Sequence, residues 1–268
     1  MGVPKIVAMG TCCVDVYPQK STIRAGGETL NIAAQLSRTD DIDIYLMGVV
    51  GDDDYGEVIL ESIKGLRINQ EHLQTAAGES AHHVIQIDET GDRFFEEGAW
   101  HGGVSEQLAL TGESLDLLKQ ADAVMVTLWQ PHLEQLVELK KEYGFLLAVD
   151  FNEQRDFSAW ESLMSDIDIV FSSGTESMED EFLARSKKSD NIFVLTYGDK
   201  GSAAFQAGNR FKCDAVEVND VVDTTGCGDC YQGYFVLEYL TTKNIEKAMK
   251  RGALEAAKVT QYVGGIPK

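Results

Sequence analysis

Apolar and polar residues in this chain group into blocks that fit strands and helices in turn. Lys5–Met9 is a short apolar run that stops at Gly10, and Ile42–Val50 is a longer one. Runs of this length, bounded by glycine or acidic turns, predict buried strands. Cys13–Tyr17 alternates apolar with polar residues up to Pro18, and Gly26-Gly27 leads into helical spacing through about Arg38. Gly51–Gly56 reads as a turn into a helix at Glu57–Lys64. Ala81–Asp88 and Arg93–Glu96, separated by Glu89-Thr90-Gly91-Asp92, read as a hairpin. From Glu113 the alternation is regular. Helices at 113–120, 131–143, 158–165 and 176–185 interleave with strands at 123–128, 145–150, 167–172 and 191–196. A second hairpin (202–205 and 210–214) and helices at 227–240 and 244–262 follow. This order predicts an α/β fold with a mainly parallel central sheet and helices on both faces. The expectation is one domain over 1–268, with a small β-sheet lid from about 11–24 and 79–101.

Composition narrows the function. The chain has 268 residues, 44% of them hydrophobic, and a net charge of −21. That charge argues against non-specific binding to nucleic acid or an anionic membrane. A bound ATP-like anion must then be held locally, by amide nests, a few Lys or Arg, and Mg²⁺. No apolar run reaches membrane-spanning length, and MGVPKIVAMG does not read as a signal peptide, so a cytoplasmic protein is expected. The five cysteines make no disulfide framework, and the five histidines show no zinc spacing.

The chemistry concentrates in Asp223-Thr224-Thr225-Gly226-Cys227-Gly228-Asp229, a turn with two close-set glycines that opens a helix. Glycines there let backbone N–H groups approach a ligand, and a helix N-terminus favours an anion. A carboxylate at that mouth would be repelled by a phosphate unless it takes a proton from an attacking hydroxyl, which makes Asp229 a candidate general base. Upstream, Gly26-Gly27 followed by Asn31 offers an amide that can donate to and accept from sugar hydroxyls, and Asp15 follows a buried strand, at the edge where α/β sites collect ligands. No GxxxxGK[ST] or protein-kinase motif occurs, and the glycine spacing after Gly226 breaks the dinucleotide fingerprint. A different class remains open here: Cys227-Gly228-Asp229-Cys230 is a CxxC at a helix start, the arrangement of thiol-disulfide redox proteins.

Asp223–Asp229 closely resembles the C-terminal signature of the ribokinase-like (PfkB) family of carbohydrate kinases. Gly26-Gly27 with Asn31 and Ala33, Val50-Gly51-Asp52-Asp53 with Gly56, Asp150-Phe151-Asn152 with Arg155, and Thr196–Gly201 are similar to further stretches of that family, in the same order. The resemblance implies a ribokinase-like fold and an ATP-dependent sugar kinase. Asp229 would be the base, with the amides of Gly226, Cys227 and Gly228 as an anion hole. Asp15, Gly26, Gly27 and Asn31 would hold the sugar, and Thr196, Gly198, Gly201 and Thr225 the nucleotide. Glu176 would serve Mg²⁺, while Asp223, with Thr225, would help place a monovalent cation such as K⁺. It also implies a homodimer through the lid. Three departures stand out: Cys227 where a small residue is usual, Tyr234 in place of Gly or Ala, and Ser173 in place of the Asn of an Asn-x-x-Glu stretch. Within the family, GTCCVDVYP at 10–18, Glu179–Leu183 and Gln261-Tyr262 look most like the fructoselysine kinases, whose acceptor is the 6-hydroxyl of a fructosyl-amino acid. The lid acids Asp92, Glu96 and Glu97 would suit a cationic tail. Fructokinase, 2-keto-3-deoxygluconate kinase and nucleoside kinase are the alternatives.

Overall fold

The computed structural model describes residues 2–87, 93–94 and 97–266. The elements run β1 (Lys5–Met9), β2 (Cys13–Tyr17), β3 (Thr22–Gly26), α1 (Glu28–Leu36), β4 (Asp43–Gly51), α2 (Asp54–Ile63), β5 (Leu73–Ala76), β6 (Ala81–Val84), β7 (Gln86–Ile87), β8 (Arg93–Phe94) and β9 (Trp100–His101). They continue as α3 (Gly112–Leu118), β10 (Ala123–Thr127), α4 (Leu133–Tyr143), β11 (Leu146–Asp150), α5 (Glu161–Met164), β12 (Ile169–Ser173), α6 (Glu179–Ser186), β13 (Ile192–Thr196), β14 (Ser202–Gln206), β15 (Asn209–Cys213), α7 (Cys227–Thr242) and α8 (Ile245–Val259).

Nine strands form the main sheet in the order β15-β14-β13-β12-β11-β10-β1-β4-β5. It is parallel from β13 to β5, with the β14–β15 hairpin antiparallel at one edge. The inner strands are nearly all apolar because both faces are covered. Ile6 and Ala8 point into a core shared with α1, α2, α7 and α8. Val7 and Met9 point into the opposite core, with α3, α4 and α6. A second sheet, β3-β2-β6-β9, is smaller and combines antiparallel and parallel pairs.

One expectation changes at the small sheet. Residues 81–94 do not form one long hairpin: β6 leaves to pair in parallel with β2, and only two-residue β7 and β8 pair with each other. The turn expected at 89–92 lies outside the described residues. Strand β5 extends the main sheet beside β4 without any apolar run to announce it. The departure at Tyr234 is accommodated by packing. Its ring is buried, its hydroxyl donates to the Gln35 carbonyl at 3.1 Å, and the Arg251 guanidinium stacks 5.2 Å from the ring centre.

Candidate active site

Helix α7 begins where the sequence predicts, and its first turn carries the candidate base. Gly226 caps the helix in the left-handed conformation (φ 79°), where a Cβ would also lie 2.5 Å from the Cα of Gly265. Gly228 is different: a Cβ there would meet nothing within 4 Å. The protein's own packing does not require a glycine at that position, so the open space above the helix start fits the close approach of a ligand anion. Among the described residues the amides of Gly226 and Gly228 donate to no protein group, whereas Cys227 N–H donates to the Thr224 carbonyl at 3.2 Å.

Asp229 is half-buried, and Asn31 Nδ2 donates to its Oδ2 at 2.7 Å. Asn31 is brought there by α1, whose first turn accepts Asn31 N–H at the Gly27 carbonyl (2.8 Å). Both glycines ahead of α1 are explained by the protein itself. A Cβ on Gly26 would sit 2.8 Å from Asp15 Oδ2, and one on Gly27 (φ 101°) would sit 2.6 Å from the Thr11 carbonyl oxygen. The pair therefore makes room for Asp15 and seats α1 against the β1–β2 loop. Asp15 itself is buried in β2, at the level of Arg24 on β3 and His83 on β6.

Asp223 organises the turn before α7. Its Oδ1 accepts from Thr225 N–H (2.9 Å) and Oγ1 (2.7 Å), and its Oδ2 accepts from Gly264 N–H (2.9 Å). A monovalent cation here would have to share both oxygens. Glu176 is exposed on the turn after β12, beside Tyr197, and Ser173 Oγ lies 3.4 Å from Thr196 Oγ1 at the ends of β12 and β13. Gly198 (φ 62°) has open space where a Cβ would be, while Gly201 (φ 91°) is a glycine because a Cβ would strike the Cys213 carbonyl at 2.2 Å. No group of three or more His, Cys, Asp or Glu side chains among the described residues could hold a metal ion. Of the expected lid acids, Glu97 is exposed, and Asp92 and Glu96 lie outside the described residues.

The structure adds Glu28 and Gln232, which the motif reading passed over, and gives a place to Asp150 and Asn152, which it named without a role. Glu28 opens α1, and the Asn152 side-chain amide donates to its Oε1. Asn152 N–H donates to Asp150 Oδ1 at 2.8 Å, and Gln232 Nε2 donates to Asp150 Oδ2 at 2.6 Å. Burial, then the charges of Asp150 and Asp229, push the Glu28 carboxyl well up. Burial likewise raises Asp150, against the opposing bonds from Gln232 and Asn152. For Glu28 and Gln232 the available signal was spacing: Glu28 and Asn31, like Asp229 and Gln232, stand three apart and so share a helix face.

Burial pushes the Cys230 thiol well up. The pfkB family carbohydrate kinase model matches residues 5–268. The chain belongs to the pfkB carbohydrate kinase family. Among its pfkB relatives, a fructoselysine 6-kinase of Shigella flexneri is 31% identical over 97% of this chain and 98% of its own. A fructosamine kinase of Bacillus subtilis is 26% identical over 98% of this chain and 93% of its own. The solved structure of Arabidopsis thaliana ribokinase, complexed with ribose and ATP, superposes with a TM-score of 0.83 at 20% identity, covering 100% of this chain and 96% of that one. The fold is therefore ribokinase-like, and the protein is a kinase of the pfkB type rather than a thiol-disulfide enzyme.

Proposed function

We propose that this pfkB kinase transfers the γ-phosphoryl group of ATP to the 6-hydroxyl of fructoselysine or a related fructosyl-amino acid. The observation that carries the chemistry is Asp229, held by Asn31 at the mouth of a glycine turn whose Gly228 faces open space. The relatives that act on fructoselysine and fructosamine support the choice of acceptor.

In this reading Asp229 takes the proton of the acceptor hydroxyl as its oxygen bonds to the γ-phosphorus. The bond from that phosphorus to the bridging oxygen breaks, and ADP leaves with the electron pair. The amides of Gly226 and Gly228 face the charge gathering on the transferred group. The Cys227 amide joins them only by giving up its bond to Thr224. Asp15, Gly26, Gly27 and Asn31 form the acceptor side. Thr196, Gly198, Gly201 and Thr225 form the nucleotide side, with Gly198 the member that leaves space. Mg²⁺ is usually bound through phosphates, waters and one or two carboxylates, and exposed Glu176 is the residue that fits this duty. The small sheet would close over the acceptor as a lid and pair two copies of the chain, in a cytoplasmic enzyme.

A panel of glycated amino acids, fructose, 2-keto-3-deoxygluconate and nucleosides, assayed for ATP-dependent ADP release, tests the acceptor. Fructoselysine should lead in kcat/KM by about tenfold or more; preference for an unmodified sugar or a nucleoside overturns the assignment. Asp229→Asn should lower kcat by about 10²–10⁴ while ATP still binds. Full turnover by that variant removes the base.

A further inference from the structure

Three carboxyl groups at this site are joined to one another by neutral amide side chains. Asn152 donates to Glu28 through its side chain and to Asp150 through its backbone. Gln232 donates to Asp150, and one helical turn back on α7 is Asp229. Asn31 donates to Asp229, and one turn back on α1 is Glu28. Four hydrogen bonds and two helical turns together close a ring: Glu28, Asn152, Asp150, Gln232, Asp229, Asn31. Among the described residues neither Glu28 nor Asp150 forms an ion pair, and no cation acts on either of them. Asp150 is buried, while Glu28 keeps some exposed surface although its carboxyl is crowded by protein. One amide atom in the ring is left over: among the described residues Asn31 Oδ1 is buried and accepts from nothing. Asn31 is only 4% exposed, and Gly265 lies close over its amide, where a Cβ would come within 2.5 Å of Oδ1.

Like charges packed in a low-dielectric cleft do not all ionise together. Asp150 has two good donors to its oxygens, and Asp229 must be ionised to serve as a base. Resting on the kinase reading above, we propose that Glu28 is a positioning residue that carries the ring's one proton, so that Asp229 and Asp150 are ionised beside a neutral carboxyl. The groups that face Glu28 are Asp150 from β11, Asp229 from α7 and Cys13 from β2, with Asn152 as its donor. All the titratable ones are anionic when ionised, so nothing among them stabilises a charged Glu28. When pH rises far enough to strip that proton, a further negative charge appears next to the base and to the incoming phosphoryl group. Turnover then falls, which gives the enzyme an alkaline limit set by Glu28.

Three variants and two readouts test this. Glu28→Gln keeps a neutral group of nearly the same shape, and Glu28→Ala leaves the Asn152 amide without its acceptor. The alanine variant should lose roughly tenfold or more in kcat, the glutamine variant should recover most of it, and the alkaline limb of kcat/KM should move to higher pH with both, because neither side chain can ionise. Carboxyl ¹³C NMR on ¹³C-glutamate-labelled protein reads the proton without any turnover. One glutamate should titrate well above the ordinary range, and its resonance should vanish in Glu28→Gln. Asp150→Asn removes a neighbouring charge and should lower that titration. The proposal is overturned if Glu28 titrates as an ordinary glutamate, or if the glutamine variant is as slow as the alanine variant with the alkaline limb unmoved. A high-titrating Glu28 in an enzyme that phosphorylates no sugar would instead sink the kinase reading and leave the ring intact.

Discussion

Gly226 and Gly228, separated by one residue, sit in opposite surroundings, and in the proposed mechanism their substitution should separate stability from activity. Alanine at Gly226 must enter the left-handed region, which costs about 1–2 kcal/mol, and must also displace Gly265. Its melting temperature should fall measurably. Alanine at Gly228 enters open space in a helical turn, where it is a better helix former by up to about 1 kcal/mol. Its melting temperature should hold or rise while kcat drops, because the new methyl occupies the anion's place. A Gly228→Ala enzyme with full turnover would mean that the anion sits elsewhere. Residues of this kind are only half legible in a sequence. The spacing Gly-x-Gly-Asp is visible, but which glycine serves the fold and which serves the ligand depends on Gly265, far along the chain. The same holds for Glu28 and Asp150: each is an ordinary acid at the end of an element until three separated segments meet around them.

At the scale of elements, Asp53 shows how one cap joins the two sheets. It caps α2 by accepting Gly56 N–H at 2.9 Å, and it accepts from Ser80 Oγ at 2.6 Å and Ser80 N–H at 3.1 Å, just ahead of β6. Ser80 Oγ in turn accepts from Gly51 N–H at the end of β4 (2.8 Å). Burial alone would raise this carboxyl, but the Ser80 and Gly56 bonds outweigh it and hold it below its ordinary value. A lowered carboxyl contributes stability that is present above its unfolded pKa and lost as pH falls through its folded one. Asp53→Ala should therefore cost about 1–2 kcal/mol near neutral pH, by urea unfolding, and the gap from the unaltered protein should narrow below about pH 4. A gap that stays constant with acidification would remove the charge from the explanation. Elements buried on both faces, such as β1, β10 and β11, could be read directly from their apolar runs. Strand β5 could not, because Leu73–Ala76 is half-exposed and owes its place to pairing with β4. The hairpin expected at 81–96 holds only where Gln86–Ile87 pairs with Arg93–Phe94, because Ala81–Val84 pairs instead with β2, far away in sequence.

For the whole molecule, the charge of −21 opposes the approach of ATP. Screening that repulsion should raise kcat/KM for ATP as NaCl goes from about 10 mM to physiological strength, where the Debye length shortens from about 30 to 8 Å. A steady fall with salt would show that local positive potential at the nucleotide side dominates instead. The position of β1 has a different consequence, one for synthesis. Its first-formed neighbour is β4, but its other edge waits for β10, with Ile6 opposite Ala123, 117 positions further along the chain. At ribosomal rates of about 5–20 residues per second, that edge stays bare for on the order of 10 s. During this interval an apolar strand with open hydrogen-bonding groups is on offer to any other chain. Yield in a cell should therefore be governed less by the stability of the finished kinase than by what covers Lys5–Met9 while the second half of the sheet is still being made.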